Sequence, residues 1–540
     1  MTYYLIAIDS VGIQPYLFGS NRLRENIGAS EIVARVTERW VYETVVSDAL
    51  GFQHNLDGDN AVPAGYSFNQ KRIKEDALDV EIIYAGGGNA VLIFGDETKA
   101  KLFTTQLTER VITDAPGLQI VVNQLPFKWP DSDNGDEPLS QMYKNLMQAL
   151  AYKKATRQPS APLLGVSVTA NCQSTGLPAV YIDQEAENRM VAADIWAKLA
   201  HRDAADNRME LLFGLEQQGF TFAKDFNQIG TSHEASYIAV IHADGNGVSQ
   251  RIDAIAKAYP TCADNRAFIE AMRSFSEALK KIAANSMKQI VGQLTRLISS
   301  NKKLVYRDIT LELKRDEQLY VLPLRPLVIG GDDVTFVCDG RLALSLAALY
   351  LEAFRAEAEK EIEQHQADQE LHACAGVAIV HNHYPFARAY ELSEALCGQA
   401  KRYARKAKRE TELGVSALDW HFAINGLLED LSTIRKYEYT VTAGPLFNRP
   451  VRLTQPQYDP VASWQTFHST TVAFQKYWDQ QRSKMKALFQ ILRQGPEATR
   501  QYLEAYELTN LIRKTPEVLA EFQQNGWSNG SCGFLTPWKQ

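Results

Sequence analysis

Cysteine is scarce and unpaired in this chain. Six stand among 540 residues, Cys172, Cys262, Cys338, Cys374, Cys397 and Cys532, each alone and none in a Cys-x-x-Cys spacing. That excludes a disulfide framework and a zinc ribbon, and it fits a reducing compartment. Long apolar runs are missing too. No stretch approaches the roughly 20 apolar residues that span a bilayer, and the opening Met-Thr-Tyr-Tyr-Leu-Ile-Ala-Ile-Asp lacks the basic region of a signal peptide. The sequence therefore reads as cytoplasmic, with no membrane partner. Positive charge is not in excess either: 57 Lys and Arg against 64 Asp and Glu leave a net charge of −7. This argues against indiscriminate coating of nucleic acid, while a local basic groove stays open. No Gly-x-Ser-x-Gly elbow and no P-loop occurs.

What is present is a soluble globular composition, 45% hydrophobic and 22% charged. At roughly 150 residues per domain the length divides into three or four units. Residues 3–8 are apolar and β-prone and end at Asp9, and 22–50 show helical spacing through Leu23, Ile27, Ile32, Val36 and Trp40. Two apolar runs, 80–84 and 90–94, flank Gly86-Gly87-Gly88-Asn89 and read as a hairpin. A helix over 99–111 and a strand over 119–122 complete the order βαββαβ, the ferredoxin-like split arrangement.

The same order returns from Tyr237. A strand over 237–243 ends at Asp244, a long helix covers 268–297, and a second hairpin centres on Gly330-Gly331-Asp332-Asp333. A helix over 342–362, a strand over 372–380 and a helix over 386–408 follow. The fold class is thus α+β: two tandem ferredoxin-like units, 1–125 and 235–412, with a linker domain over 126–234 and a mainly helical domain over 413–540. The first boundary falls at the Pro- and Asp-rich break 126–138.

The second unit carries the strongest chemical signal. Transfer of a nucleotidyl group needs two or three carboxylates at adjoining strand ends, because a pair of Mg²⁺ or Mn²⁺ ions must be held against a triphosphate. Asp244, after the first strand, is brought next to the hairpin that bears Asp332 and Asp333. Gly330 and Gly331 allow the backbone to turn and admit phosphate oxygens. Gly-Gly-Asp-Asp alone also suits an ordinary hairpin turn; its placement beside a second turn, Asp244-Gly245-Asn246-Gly247, is what makes it a candidate metal site. Asp9 of the first unit reads as a turn or helix cap rather than a ligand. His381 and His383 read as exposed loop residues, since no third ligand accompanies them.

Ile241-His242-Ala243-Asp244-Gly245-Asn246-Gly247 together with Gly330-Gly331-Asp332-Asp333 resembles the catalytic palm of the large, polymerase-like subunit of type III CRISPR effectors. Ile8-Asp9-Ser10-Val11-Gly12, Ile27-Gly28-Ala29-Ser30 and Ala85-Gly86-Gly87-Gly88-Asn89 resemble that family's non-catalytic first palm. The resemblance implies conversion of ATP into cyclic oligoadenylate at the interface of the palms, with Asp244, Asp332 and Asp333 holding Mg²⁺. It implies nucleotide contacts from Gly245, Asn246, Gly330 and Gly331. Lys401 would bind triphosphate oxygens, although the basic run 401–409 also fits a solvated helix face.

In the first unit Gly88 and Asn89 replace the two aspartates, so only nucleotide contacts are implied there, from Ser10, Gly87, Gly88 and Asn89. Three departures from the family pattern follow. The chain contains no His-Asp dipeptide, so no HD nuclease is expected. A lone Cys172, with Thr175 where a second cysteine would stand, implies an eroded zinc module and no structural zinc. Asn246 stands where another Asp is usual. Partners implied are ATP and guide-RNA effector subunits, the latter met through the C-terminal domain whose start resembles Leu418-Asp419-Trp420-His421. Two other functions fit the residues: a non-catalytic scaffold that keeps the palm fold, and a GGDEF-like cyclic-dinucleotide synthase.

Overall fold

The chain is described from a computed structural model, over residues 2–58, 65–129, 137–158, 165–166, 168–186, 188–230, 236–307, 309–362, 371–411, 414–423, 430–441, 444–453, 463–478 and 481–508. The break at 130–136 and Cys532 lie outside these residues.

The first sheet is built from β1 (Thr2–Val11), β2 (Val80–Gly86), β3 (Asn89–Phe94) and β4 (Gln119–Lys128), in the order β2-β3-β1-β4. α1 (Leu23–Ala34) joins β1 to β2 and runs on through a π-helical turn, Arg35–Arg39, into Trp40–Val45; α2 (Glu97–Asp114) joins β3 to β4. α2 is capped by Asp96, whose side chain accepts the Lys99 amide. The strands read as unbroken apolar runs because both faces are covered. Ile6, Ile8, Leu92 and Phe94 pack under α1 and α2. Leu5, Ala7, Val91 and Ile93 pack against α3 (Leu139–Thr156) and against a helix of the second unit.

That second unit starts with β5 (Tyr237–Gly245), α4 (Val248–Ala258) and α5 (Asn265–Arg296). β6 (Leu324–Gly330), β7 (Asp333–Asp339), α6 (Ala343–Ile362), β8 (Ala373–His381) and α7 (Phe386–Thr411) follow. Its sheet runs β6-β7-β5-β8 and continues into β9 (Ala417–Ala423) and β10 (Val451–Arg452). The segment 418–421, expected at the start of a helical part, is therefore a strand, parallel to β8. Its pattern misleads because Asp419, fully buried, is held by Arg435 at 2.6 Å and so sits inside a strand that is covered on both faces.

The units interlock. α5 gives Phe268, Ile269 and Met272 to the core of the first sheet and Leu279, Ile282 and Met287 to that of the second. Each hairpin carries a bulge at the same place, at Ile83 in β2 and Leu327 in β6. Each freed carbonyl is taken by the other unit's helix: Arg273 of α5 donates to Ile83 O at 3.3 Å, and Ser30 of α1 donates to Leu327 O. Between the units lie the helices Ala193–Ala200 and Arg202–Phe213 and a small hairpin over 181–191. Among the described residues no helix is long and apolar enough to cross a membrane.

Candidate active site at the edge of the second sheet

Antiparallel register places Asp244 of β5 directly opposite Asp333 of β7, so both side chains leave the same face of the sheet. Asp332 occupies the turn, and its carbonyl accepts the Gly245 amide at 3.0 Å. The two segments that spacing brought together as candidates are thus hydrogen-bonded neighbours. Gly245 is needed there: a Cβ on it would lie 2.8 Å from Asp332 Cβ and 3.6 Å from Asp332 Oδ2. Gly331 takes a positive φ of 59°, which lets the hairpin close. Gly330 lies against Gly87 of the first unit's hairpin, so the two turns meet tip to tip.

The carboxylates are crowded, and their protonation reflects it. Burial, then the charges of Asp244 and Asp333, push the Asp332 carboxyl up to about 7, against the pull of its own backbone hydrogen bond and Lys401. Lys401, from α7, lies 2.5 Å from Asp244 Oδ2 and 3.2 Å from Gly245 O. It points into the site rather than along a solvated face. Burial disfavours its charge, but Asp244 more than compensates and raises its pKa. His242, two residues before Asp244, is buried with Nδ1 3.3 Å from Asp333 Oδ1. Burial opposes its protonation, and Asp333, Asp244 and Glu394 together outweigh that and raise its pKa.

A cavity of about 1340 Å³ opens beside these groups. Asp244, Asp332 and Lys401 stand at one side of it, and Arg251, Arg405 and Lys408 extend the basic lining. Ala254, Ala258, Ala267, Ala271 and Phe275 of α4 and α5 make the opposite wall apolar. The space is of the size that a nucleotide-scale ligand fills.

Among the described residues no three His, Cys, Asp or Glu side chains converge closely enough to hold a metal ion as they stand. Asp244 is paired with Lys401 in this arrangement. The donor set nevertheless fits a hard divalent cation. All three candidates are oxygen donors, and Gly245 keeps the space against Asp332 open.

Asn246 donates from Nδ2 to Cys374 Sγ at 3.2 Å and to Val415 O at 3.4 Å, so its amide nitrogen is directed into the protein. Burial pushes the Cys374 thiol up to about 11, which leaves it neutral.

In the first unit Asp9 faces Asn89 in the register that joins Asp244 to Asp333. Asp9 is not a cap, as its position had suggested; its Oδ2 meets Lys154 of α3 at 2.7 Å. The helix after β1 starts at Gly12 with no side-chain cap, so the nearest strong partner is the ammonium. Ser10 is buried, its amide donates to Gly88 O at 3.0 Å, and its hydroxyl has no hydrogen-bond partner. Gly87 has open space where a Cβ would be. His381 is no loop residue: it ends β8 and shares a 3.1 Å hydrogen bond with the Tyr237 hydroxyl.

Sequence reasoning missed Lys154, His242, Arg251 and α4. Lys154 was findable, since it holds the same place in its helix as Lys401, counted from Leu139 and from Phe386.

A sheet with carboxylates at the end of a central strand and in the adjoining hairpin is the arrangement of a palm domain. Residues 237–409 match the family of the Cas10/Cmr2 second palm domain. No curated protein matches it in sequence. Among solved structures it is similar to a Csm1–Csm4 cassette in complex with cA4, with TM-score 0.51 and 12% identity over 99% of this chain and 69% of that one. It is also similar to a Csm1–Csm4 cassette in complex with pppApApA, with TM-score 0.52 and 11% identity over 100% of this chain and 69% of that one. At such identities the likeness is one of fold.

Proposed function

We propose that the chain is a metal-dependent nucleotidyltransferase of a type III CRISPR effector, built from two tandem ferredoxin-like palms, that joins ATP into oligoadenylate and closes the ring. The observation that carries this is the cross-strand pair Asp244–Asp333, with Asp332 beside it, standing with Lys401 at the mouth of a nucleotide-sized cavity. Asp244, Asp332 and Asp333 would hold Mg²⁺ or Mn²⁺. When bound, the metal neutralises phosphate charge and lowers the pKa of the attacking hydroxyl. Lys401 leaves Asp244 for the triphosphate, and Arg405 and Lys408 hold its outer oxygens. The alanine wall receives the base and excludes water from that side. Ser10, Gly87, Gly88 and Asn89 of the first palm, across the Gly87–Gly330 contact, receive the acceptor nucleotide. Positioning and electrostatics then supply most of the rate. Effector subunits and guide RNA are the partners this reading calls for, and the similar structures, in which Csm1 is paired with Csm4, support it.

The test is incubation with ATP and Mg²⁺, with and without a target-bound guide-RNA complex. Pyrophosphate and oligoadenylate are expected, with loss in the Asp332→Ala, Asp333→Ala double variant. No product under either condition, or undiminished product from the double variant, overturns the reading.

A scaffold role is the second reading. The Lys401–Asp244 ion pair and the inward amide of Asn246 favour it, because they leave Asp244 paired and the Asn246 nitrogen turned away from the site. Tight association with a guide-RNA complex without ATP conversion would select it. A GGDEF-like synthase would yield a cyclic dinucleotide, which mass analysis of the product distinguishes.

A further inference from the structure

On the face of β5 that looks toward α7, Ile238 and Val240 are apolar and buried, as a sheet covered by a helix requires. His242 breaks that pattern at the next position. A buried imidazole at an apolar position costs free energy unless its nitrogens are used. Here Nδ1 lies 3.2 Å from Thr335 Oγ1 and 3.3 Å from Asp333 Oδ1, an oxygen enclosed by the protein with no other partner among the described residues. The ring is fixed from the other side by Tyr390 of α7, edge-on with centroids 5.5 Å apart. Tyr390 is itself held by the first unit. Phe18 stacks on it at 4.0 Å, and one turn earlier Gln14 donates to Glu394 Oε1 at 2.7 Å.

We infer that His242 is a positioning residue for Asp333: the imidazole holds the inner carboxylate oxygen so that the outer one faces the space shared with Asp244, and the Phe18–Tyr390 stack locks the imidazole in place. The inference rests on the catalytic reading above and adds to it a residue and a route between the units. Asp333 begins β7 with its side chain half exposed, and His242 is the group that meets its enclosed oxygen. A group that orients a ligand without binding the cation commonly changes metal affinity by ten- to a hundredfold. Because Phe18 and Gln14 belong to the helix that follows β1, a shift of that helix on filling of the first palm would reach Asp333 through the same ring.

Titration of the full chain with Mn²⁺, followed by electron paramagnetic resonance, tests this without relying on turnover. His242→Ala is expected to weaken Mn²⁺ binding at least about tenfold. His242→Asn, whose amide nitrogen takes the place of Nδ1, is expected to recover most of that loss. His242→Gln keeps bulk but offers its amide at the Nε2 position, so it should bind as weakly as the alanine variant; it serves in place of alanine if that variant does not fold. In ATP turnover kcat should fall with KM little changed. Mn²⁺ affinity equal to that of the unaltered chain in the Ala or Gln variant, or no rescue by Asn, overturns the positioning role. Absence of Mn²⁺ binding by the unaltered chain would instead overturn the catalytic reading, and this inference with it.

Discussion

Lys401 grips Asp244 in the second unit as Lys154 grips Asp9 in the first, each lysine reaching from the helix that follows the last strand of its sheet to the aspartate near the end of the first. The cross-strand partner of the aspartate differs: Asp333 in one case, Asn89 in the other. One carboxylate with one ammonium is neutral and complete. Three carboxylates with one ammonium leave negative charge over, and only the second unit has it.

Removal of Lys401 should therefore separate two roles. Lys401→Ala frees Asp244, and Mn²⁺ affinity is expected to rise by about three- to tenfold, the scale of one partly exposed ion pair. Affinity for an unreactive ATP analogue in the presence of metal is expected to fall by a similar factor. Calorimetric titration of each ligand checks both directions. Lys154→Ala should change neither.

Without divalent cations the crowded carboxylates should leave a mark on stability. Asp332 is pushed up to about 7 by burial first and then by Asp244 and Asp333, whereas in the unfolded chain it titrates near 4. The folded state thus binds the extra proton between about pH 4 and 7, so its contribution is present at low pH and is lost as pH rises through 7. Melting temperature in chelator is expected to decline from pH 6 to 8, and Asp332→Asn should flatten that decline. Added Mg²⁺ should stabilise more at pH 8 than at pH 6, because at pH 6 it must displace the proton.

Gly245→Ala is expected to weaken Mn²⁺ binding by tenfold or more and to lower the melting temperature. The added methyl would stand 2.8 Å from Asp332 Cβ and push the turn outward. Gly245 is not at a positive φ, so that displacement, and not the residue's own dihedral angles, carries the effect.

The reciprocal grip on the two bulges is testable by denaturation. Ser30→Ala loses one buried hydrogen bond to Leu327 O and should cost about 1 kcal/mol. Arg273→Ala should cost about 2–3 kcal/mol, because Arg273 also pairs with Glu81, which is fully buried and would keep only Arg266 as a charged partner beside the Ile73 amide.

Much of this was legible in the residues. Strand, glycine hairpin and helix recur in the same order, and that repeat alone singles out Asp244, Asp332 and Asp333 as candidates. What stayed hidden has physical causes. Arg266, Arg273 and Lys280 recur at seven-residue spacing on α5 and look like a solvated stripe, yet they bind Glu81, the Ile82 and Ile83 carbonyls, and Glu38 with the Ala85 carbonyl of the first unit. Only the docked partner turns them inward. β9 was hidden because a strand with Asp419 at its centre contradicts burial until Arg435 is placed. His242 was hidden because a single histidine in an apolar strand carries no spacing signal; its meaning comes from Asp333, 91 positions away in sequence and one strand away in space.

α5 is a single rod of 32 residues whose first third is roofed by one sheet and whose remainder is roofed by the other. Cutting out residues 237–409, the stretch that bears the family signature, would strip the cover from Phe268, Ile269 and Met272 and leave a greasy flank in water. The half that carries the aspartates is thus lodged in its sibling like a beam in a wall, and whatever loosens one side will be felt at the other.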